Sequence, residues 1–320
     1  MGLVAGVDLG GTKILARAVD ATDPATGLAE VRVDTPRGAA SIVEALAGVV
    51  TALDTELAAG GRPPVDVVGV GAAGLVDRAG VVRFAPNLPG VVDLDLPVAL
   101  GQRVARPVVA DNDANCAARA EHHLGAAAGV TSAVLVTLGT GIGGALVLGG
   151  RVQRGHGGFA GEPGHMLVDP HGPPCPCGRR GCWERFASGS GLGRLARDAA
   201  AAGRADRLVA LAGGDPEAVR GEHVTRAAAD GDAEASAVLA QFAWWVAVGV
   251  ANLVDLVDPE LVVIGGGLVE AGDVWLDPVR TAYAGLVLAH DHRPPIGIVG
   301  ARLGPDAGAV GAALLAAGTP

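Results

Sequence analysis

The sequence predicts an α/β fold of two domains, and three observations carry that expectation. Its 320 residues are half apolar, enough to build two cores of ordinary size. Only 3% are aromatic whereas 51 are glycine, so those cores consist of small aliphatic side chains joined by many tight turns. Glycine-rich stretches also follow apolar, β-branched runs at three places, with helical segments between them: "GVDLGGTKILA" from Gly6, "LVTLGTGIGGALVL" from Leu135 and "LVVIGGGLV" from Leu261.

In the first two stretches the segment after the glycines is again apolar, at residues 14–19 and 145–148, so each loop joins two antiparallel strands. "GTGIGG" from Gly139 is therefore not a dinucleotide fingerprint, which needs a helix to begin at the glycines within a βαβ unit. Two such hairpins, about 130 residues apart, point to an internal duplication of domain type. Between them the pattern predicts a helix over 41–59, a strand over 65–72, a strand over 107–110 and a helix over 112–123 closed by Gly125. Residues 130–150 carry no charge, but six glycines interrupt them, which suits a hairpin and not a membrane helix. A helix over 238–257, a strand at Leu261 and a terminal helix in "DAGAVGAALLAAG" complete the reading. No linker marks a boundary; the sequence places it near Ala114.

The net charge of −10 argues against a nucleic-acid partner, whose phosphates bind Lys and Arg. The amino terminus has no basic start, long apolar run or typical cleavage site. A soluble, cytoplasmic protein without a membrane partner is expected.

"GHMLVDPHGPPCPCGRRGCWE", residues 164–184, gathers three of the four cysteines. Cys175 and Cys177 are too close for an easy disulfide, and three clustered thiols leave one unpaired. Three thiolates and one imidazole instead make a closed tetrahedral Zn²⁺ site, structural because no position is left for water. Spacing admits both His165 and His171 as the fourth ligand. Beside this loop stand Glu162 in "GEPGH" and Glu184, carboxylates suited to accept hydrogen bonds from hydroxyl groups or simply to face solvent. Asp113 lies where a strand ends and a helix begins, a position that serves a reactive group or a helix cap. "DLGGTK" offers Asp8 for Mg²⁺, then Gly10, Gly11, Thr12 and Lys13 as a phosphate cradle. "TLGTG", with Thr137, Gly139, Thr140 and Gly141, is a second loop of the same character, and the glycines of "IGGG", Gly265, Gly266 and Gly267, let a base or ribose lie against bare backbone. Cys116 reads as a core thiol, Trp244 and Trp245 as core or subunit contacts, and His122, His123, His156, His290 and His292 as surface residues without partners.

Taken together, "DLGGTK", "DNDANCAA", "LGTGIGG", "GEPGH", "CPCGRRGCWE" and "IGGG" resemble, in order and spacing over almost the whole chain, the ROK family of sugar kinases. The resemblance implies an actin-like, hexokinase-type (ribonuclease H-like) two-domain fold with a central cleft. A small domain would span 1–113, joined by the terminal helix at about 305–320, and a large domain with the zinc loop would span 114–304. It also implies ATP-dependent phosphorylation of glucose at the 6-hydroxyl, or of another hexose such as fructose, allose, mannose or N-acetylmannosamine. Asp113 would be the catalytic base, with an ordinary low pKa at its helix start. Gly74, Asn87, Asn112, Glu162, His165 and Glu184 would hold the sugar, and His165, Cys175, Cys177 and Cys182 the zinc. A homodimer or homotetramer is expected. Repressors related to this family place a DNA-reading domain ahead of the first hairpin, which here begins at residue 6; a noncatalytic sugar sensor would lack the base and phosphate loops that this chain retains.

Overall fold

The computed structural model describes residues 2–267 and 273–319. The last two residues of "LVVIGGGLV" and the final Pro320 lie outside them. Two compact units divide the chain: Met1–Leu135 with Ala145–Gly161 and Arg302–Pro320, and Val136–Gly144 with Glu162–Ala301. The chain thus first leaves unit one inside a strand at residue 135, not near Ala114. The reason is packing: the helix that follows Asp113 lies against the terminal helix of its own unit.

Unit one opens with β1 (Leu3–Leu9), β2 (Lys13–Asp20) and β3 (Asp23–Asp34). After α1 (Ala39–Ala59) come β4 (Val67–Ala72) and a small sheet of β5 (Leu75–Val76), β6 (Val81–Phe84) and β7 (Val92–Asp95). Then follow α2 (Leu96–Val104), β8 (Val108–Asn112) and α3 (Asp113–Leu124), and the chain returns at its end as α10 (Ala307–Ala316). The main sheet runs β3-β2-β1-β4-β8, antiparallel on the hairpin side and parallel from β1 to β8. In α1, Ile42, Leu46, Val49, Val50, Leu53 and Leu57 recur at helical spacing and are buried. Burying each such side chain stabilises the fold by about 2 kcal/mol.

The terminal helix α10 is apolar all round and almost wholly buried. It reaches the sheet through glycines: a Cβ on Gly6 would lie 1.9 Å from the Ala309 carbonyl oxygen, and one on Gly69 1.9 Å from that of Ala312. Gly311 likewise leaves room for the Cys116 carbonyl of α3, and Cys116 is the core thiol expected.

The second sheet runs β11-β10-β9-β12-β13, with β9 (Ser132–Leu138), β10 (Ile142–Leu148), β11 (Arg151–Val152), β12 (Leu261–Gly265) and β13 (Gly297–Gly300). Each sheet thus has its first strand third in order, with the second and third strands outward on one side and the fourth and fifth on the other. This is the duplication that the paired hairpins announce.

Unit two carries α4 (Glu184–Ala187), α5 (Gly189–Ala201), α6 (Asp206–Leu211), α7 (Gly221–Ala229), α8 (Ala233–Val257) and α9 (Asp273–Ala284). Among the described residues α8 alone is long and apolar enough to cross a membrane, and 56% of that apolar window is buried in the fold. A Cβ on its Gly249 would fall 1.9 Å from the ring of Trp183, which is fully buried and donates from Nε1 to the Trp245 carbonyl at 2.6 Å. Trp245 stacks on Phe186, whereas Trp244 is 43% exposed. His122 departs from the surface reading: it is half-buried, with Nε2 2.9 Å from the Val130 carbonyl oxygen and its ring edge-on to His123.

Candidate active site

In unit one the end of β8 and the start of α3 present "DNDAN". Asn112, not Asp113, caps the helix: its Oδ1 accepts the Asn115 N–H at 3.1 Å while its Nδ2 donates to the Gly74 carbonyl at 3.0 Å. Gly74 sits at φ 125°, and a Cβ there would strike the Phe84 carbonyl at 2.5 Å, so only glycine suits the turn. With capping assigned to Asn112, Asp113 occupies the first helical position, where its Oδ1 accepts the Ala114 N–H at 2.9 Å. Desolvation raises its pKa, outweighing that bond and those from its own N–H and the Asn112 side chain. The low value expected at a helix start therefore does not hold, since desolvation outweighs the hydrogen bonds that would lower it. Asp113 keeps a partly accessible face, but its surroundings are close enough for desolvation to dominate.

Asp8 is the next-to-last residue of β1 in the same unit. Burial pushes its carboxyl up to about 7, and the nearby Asp113 charge adds to the rise. Gly308, in the first turn of α10, lies against it: a Cβ there would be 2.7 Å from Asp8 Cγ. The hairpin beyond is pinned by Gly10 N–H to the Lys13 carbonyl at 3.0 Å and by the Thr35 hydroxyl to the Gly10 carbonyl at 2.7 Å. Gly11, Thr12 and Lys13 are exposed, and Gly11 passes so near the Asn87 main chain that a Cβ would lie 2.9 Å from its oxygen. Asp8, the glycine hairpin and Asn87 thus lie together, as do Gly74, Asn112 and Asp113.

In unit two, the four ligand atoms of His165, Cys175, Cys177 and Cys182 lie within 4.8 Å of one another. Cys177 Sγ and Cys182 Sγ are 3.6 Å apart and Cys175 Sγ is 3.9 Å from His165 Nδ1. A tetrahedral ion with metal–sulfur bonds near 2.3 Å wants edges of about 3.8 Å, so the group fits one. His171 is exposed and outside the group, so of the two histidines it is His165 that the fold brings to the cysteines. Gly181, at φ 67°, folds the loop back; a Cβ there would overlap the Asp169 carbonyl.

Glu184 Oε1 is 3.0 Å from Cys175 Sγ and 3.7 Å from His165 Nδ1, so this carboxylate adjoins the cysteine cluster and is only 17% exposed. Trp183, wedged against Gly249, fixes where α4 begins and hence where Glu184 stands. Glu162 precedes the short 3₁₀ turn Pro163–His165, and its carbonyl accepts the His165 N–H at 3.2 Å. The second glycine loop meets the same group: a Cβ on Gly141 would be 2.8 Å from Glu184 Oε2. Gly139 and Thr140 are tied to the start of α5 by Gly189 N–H (2.8 Å) and the Ser190 hydroxyl (2.8 Å). Gly266, at φ 98°, packs against the Leu138 carbonyl, and Gly265 near Thr137, so "IGGG" and "TLGTG" adjoin; a Cβ on Gly267 would meet nothing among the described residues. The sequence reading passed over Trp183, Gly249 and Ser190. Their signal was weak: a serine at a helix start and a glycine inside an apolar helix have many uses.

The ROK family profile matches residues 4–319. The chain belongs to the ROK family. Among ROK proteins, glucokinase of Streptomyces coelicolor is 42% identical over 319 residues, 99% of this chain and 98% of that one. N-acetylmannosamine kinase of Escherichia coli O157:H7 is 35% identical over 98% of this chain and 97% of its own. A crystal structure of a ROK family glucokinase from Streptomyces griseus with glucose and AMPPNP superposes with a TM-score of 0.86, at 40% identity, covering 98% of this chain and 99% of that one. This ROK chain accordingly has the actin-like two-domain fold of its hexokinase and glucokinase relatives.

Proposed function

We propose that this ROK chain is an ATP-dependent glucokinase that transfers the γ-phosphoryl group to the 6-hydroxyl of glucose, yielding glucose 6-phosphate and ADP. The observation that carries the reading is the likeness, along nearly the full chain, to a glucokinase crystallised with glucose and an ATP analogue. Phosphoryl transfer passes through a loose transition state, so the protein mainly aligns reactants and stabilises charge. Asp113 accepts the hydroxyl proton, and its raised pKa makes it a better base than an ordinary carboxylate. Asn112, Gly74 and Asn87, with Glu162, His165 and Glu184, bind the other hydroxyls. Gly10, Gly11, Thr12, Lys13 and the loop of Thr137, Gly139, Thr140 and Gly141 hold phosphates, and Gly265, Gly266 and Gly267 hold the nucleoside. Asp8, a buried carboxylate beside Asp113, suits Mg²⁺, which neutralises phosphate charge when bound.

The ion of the Cys₃His group is Zn²⁺ with a structural role. It orients His165 and stiffens the loop that carries Glu184. The enzyme is cytoplasmic and a homodimer or homotetramer, with sugar and ATP as its small-molecule partners. A second reading, the same transfer to N-acetylmannosamine or another hexose, is favoured by the similarity to the N-acetylmannosamine kinase. A coupled ADP-release assay with Mg-ATP across glucose, mannose, fructose, allose and N-acetylmannosamine separates the two. Glucose should be preferred, and Asp113→Asn should lower kcat by about 10²–10⁴-fold. Preference for another sugar would rename the substrate; undiminished turnover in Asp113→Asn would remove the base.

A further inference from the structure

Asp111, the residue before the Asn112 cap, is fully buried and charged chemistry surrounds it. Its Oδ1 accepts the Asn112 N–H at 2.8 Å and the Asn115 Nδ2 at 3.0 Å. Two arginines face it: Arg154, whose Nε lies 3.0 Å from Oδ1, and Arg119, whose Nη2 is 3.6 Å from Oδ2. Arg119 is the more distant and is also engaged elsewhere, donating from Nε to the Thr319 carbonyl at 3.2 Å. Arg154 comes from the loop just after β11. Its Nη2 donates to the Asp77 carbonyl at 2.7 Å, in the turn after β5. That turn begins three residues beyond Gly74, whose carbonyl receives the Asn112 side chain.

One guanidinium therefore bridges the end of β8 and the segment that carries Gly74. Arg78 reinforces the contact from the opposite side, donating from Nε to the Gly155 carbonyl at 2.8 Å, and Gly158, at φ 103°, leaves no room for a Cβ against Asp77 and Arg78. The guanidinium meets the carboxylate as an ion pair at Nε and the carbonyl as a hydrogen-bond donor at Nη2; an ammonium is a single point and cannot span both. We propose that Arg154 is a positioning residue for the phosphoryl transfer: by clamping Asp111 to the Asp77 turn it sets where Asn112 and Asp113 stand relative to Gly74. The inference rests on the kinase reading above and adds to it a residue outside every assigned site.

The test compares Arg154→Met, Arg154→Lys and the charge-balanced pair Asp111→Asn with Arg154→Met in the coupled assay, beside thermal unfolding of each. Wild-type sugar-dependent ADP release is measured first, so a failure of the kinase reading is seen before any variant is compared. Arg154→Met should lose at least tenfold in kcat with KM for ATP within twofold of wild type, because the nucleotide loops do not depend on the clamp. Arg154→Lys, which keeps the charge and loses the fork, should retain wild-type stability and still lose several-fold in kcat. The pair, which removes the uncompensated buried charge, should recover thermal stability and not kcat. Recovery of kcat together with stability in the pair, or a lysine variant within twofold of wild-type kcat, would show that Arg154 only neutralises Asp111 and overturn the proposal. If Arg154→Met does not fold, the lysine variant and the pair decide alone.

Discussion

Asp113 shows what a residue gives up for its chemistry. Burial raises its folded pKa above the unfolded value of 3.8, so between those two pH values the native state holds the extra proton and stability falls as pH rises. Below 3.8 both states are protonated and nothing is lost. Asp113→Asn should therefore unfold at a higher temperature than wild type at pH 7.5, with the gain vanishing near pH 3.5; calorimetry at the two pH values checks it, and an equal gain at both would sink the explanation. Activity has the opposite sign, because the base must be ionised: kcat/KM should decline on the acid side from a pH above the usual carboxylate range. The sequence marked this residue but not its ionisation. A motif is local, whereas desolvation is set by every chain segment packed around the carboxyl. The cysteine loop was more legible, since three of the four clustered side chains lie within eight residues and only the placing of His165 rather than His171 beside them needed coordinates.

At the scale of elements, glycine hairpins and apolar helices were plain in the sequence because their periods are short. The edge strand β3 and the sheet β5-β6-β7 were not. Most of β3 is exposed and its "DPATG" start reads as a turn, so no buried face betrays it. The contact between Trp183 and Gly249 was also unreadable, joining positions far apart in the chain. It now makes a prediction: Gly249→Ala should destabilise unit two by about 1–3 kcal/mol in urea unfolding, through overpacking against the indole. The same substitution should raise KM for sugar more than KM for ATP, because Trp183 precedes Glu184. On the proposed reading, zinc would set the other side of that segment. Purified protein should hold one zinc ion per chain by elemental analysis, and Cys177→Ser should lower both metal content and thermal stability; full stability without metal would leave the cysteines as packing alone.

For the whole molecule, the small-residue composition predicted the fold class, and the two matching sheet orders account for the glycine loops occurring in pairs. Assembly can be tested on α8, where Trp244 is 43% and Leu256 79% exposed on a largely apolar helix. Sedimentation should find a dimer or tetramer, and Trp244→Glu should shift it toward monomer if this face is the contact. One compositional feature acquires meaning from its place in the fold. Lys13 is the single lysine of the chain and is exposed at the start of β2. Any reagent that attacks primary amines can therefore reach one side chain, in the loop assigned to phosphate, besides the amino terminus. Amine coupling to a biosensor chip would fasten the molecule by its own nucleotide loop and silence the interaction to be measured, whereas a dye attached there would report on nucleotide arrival from a single known address.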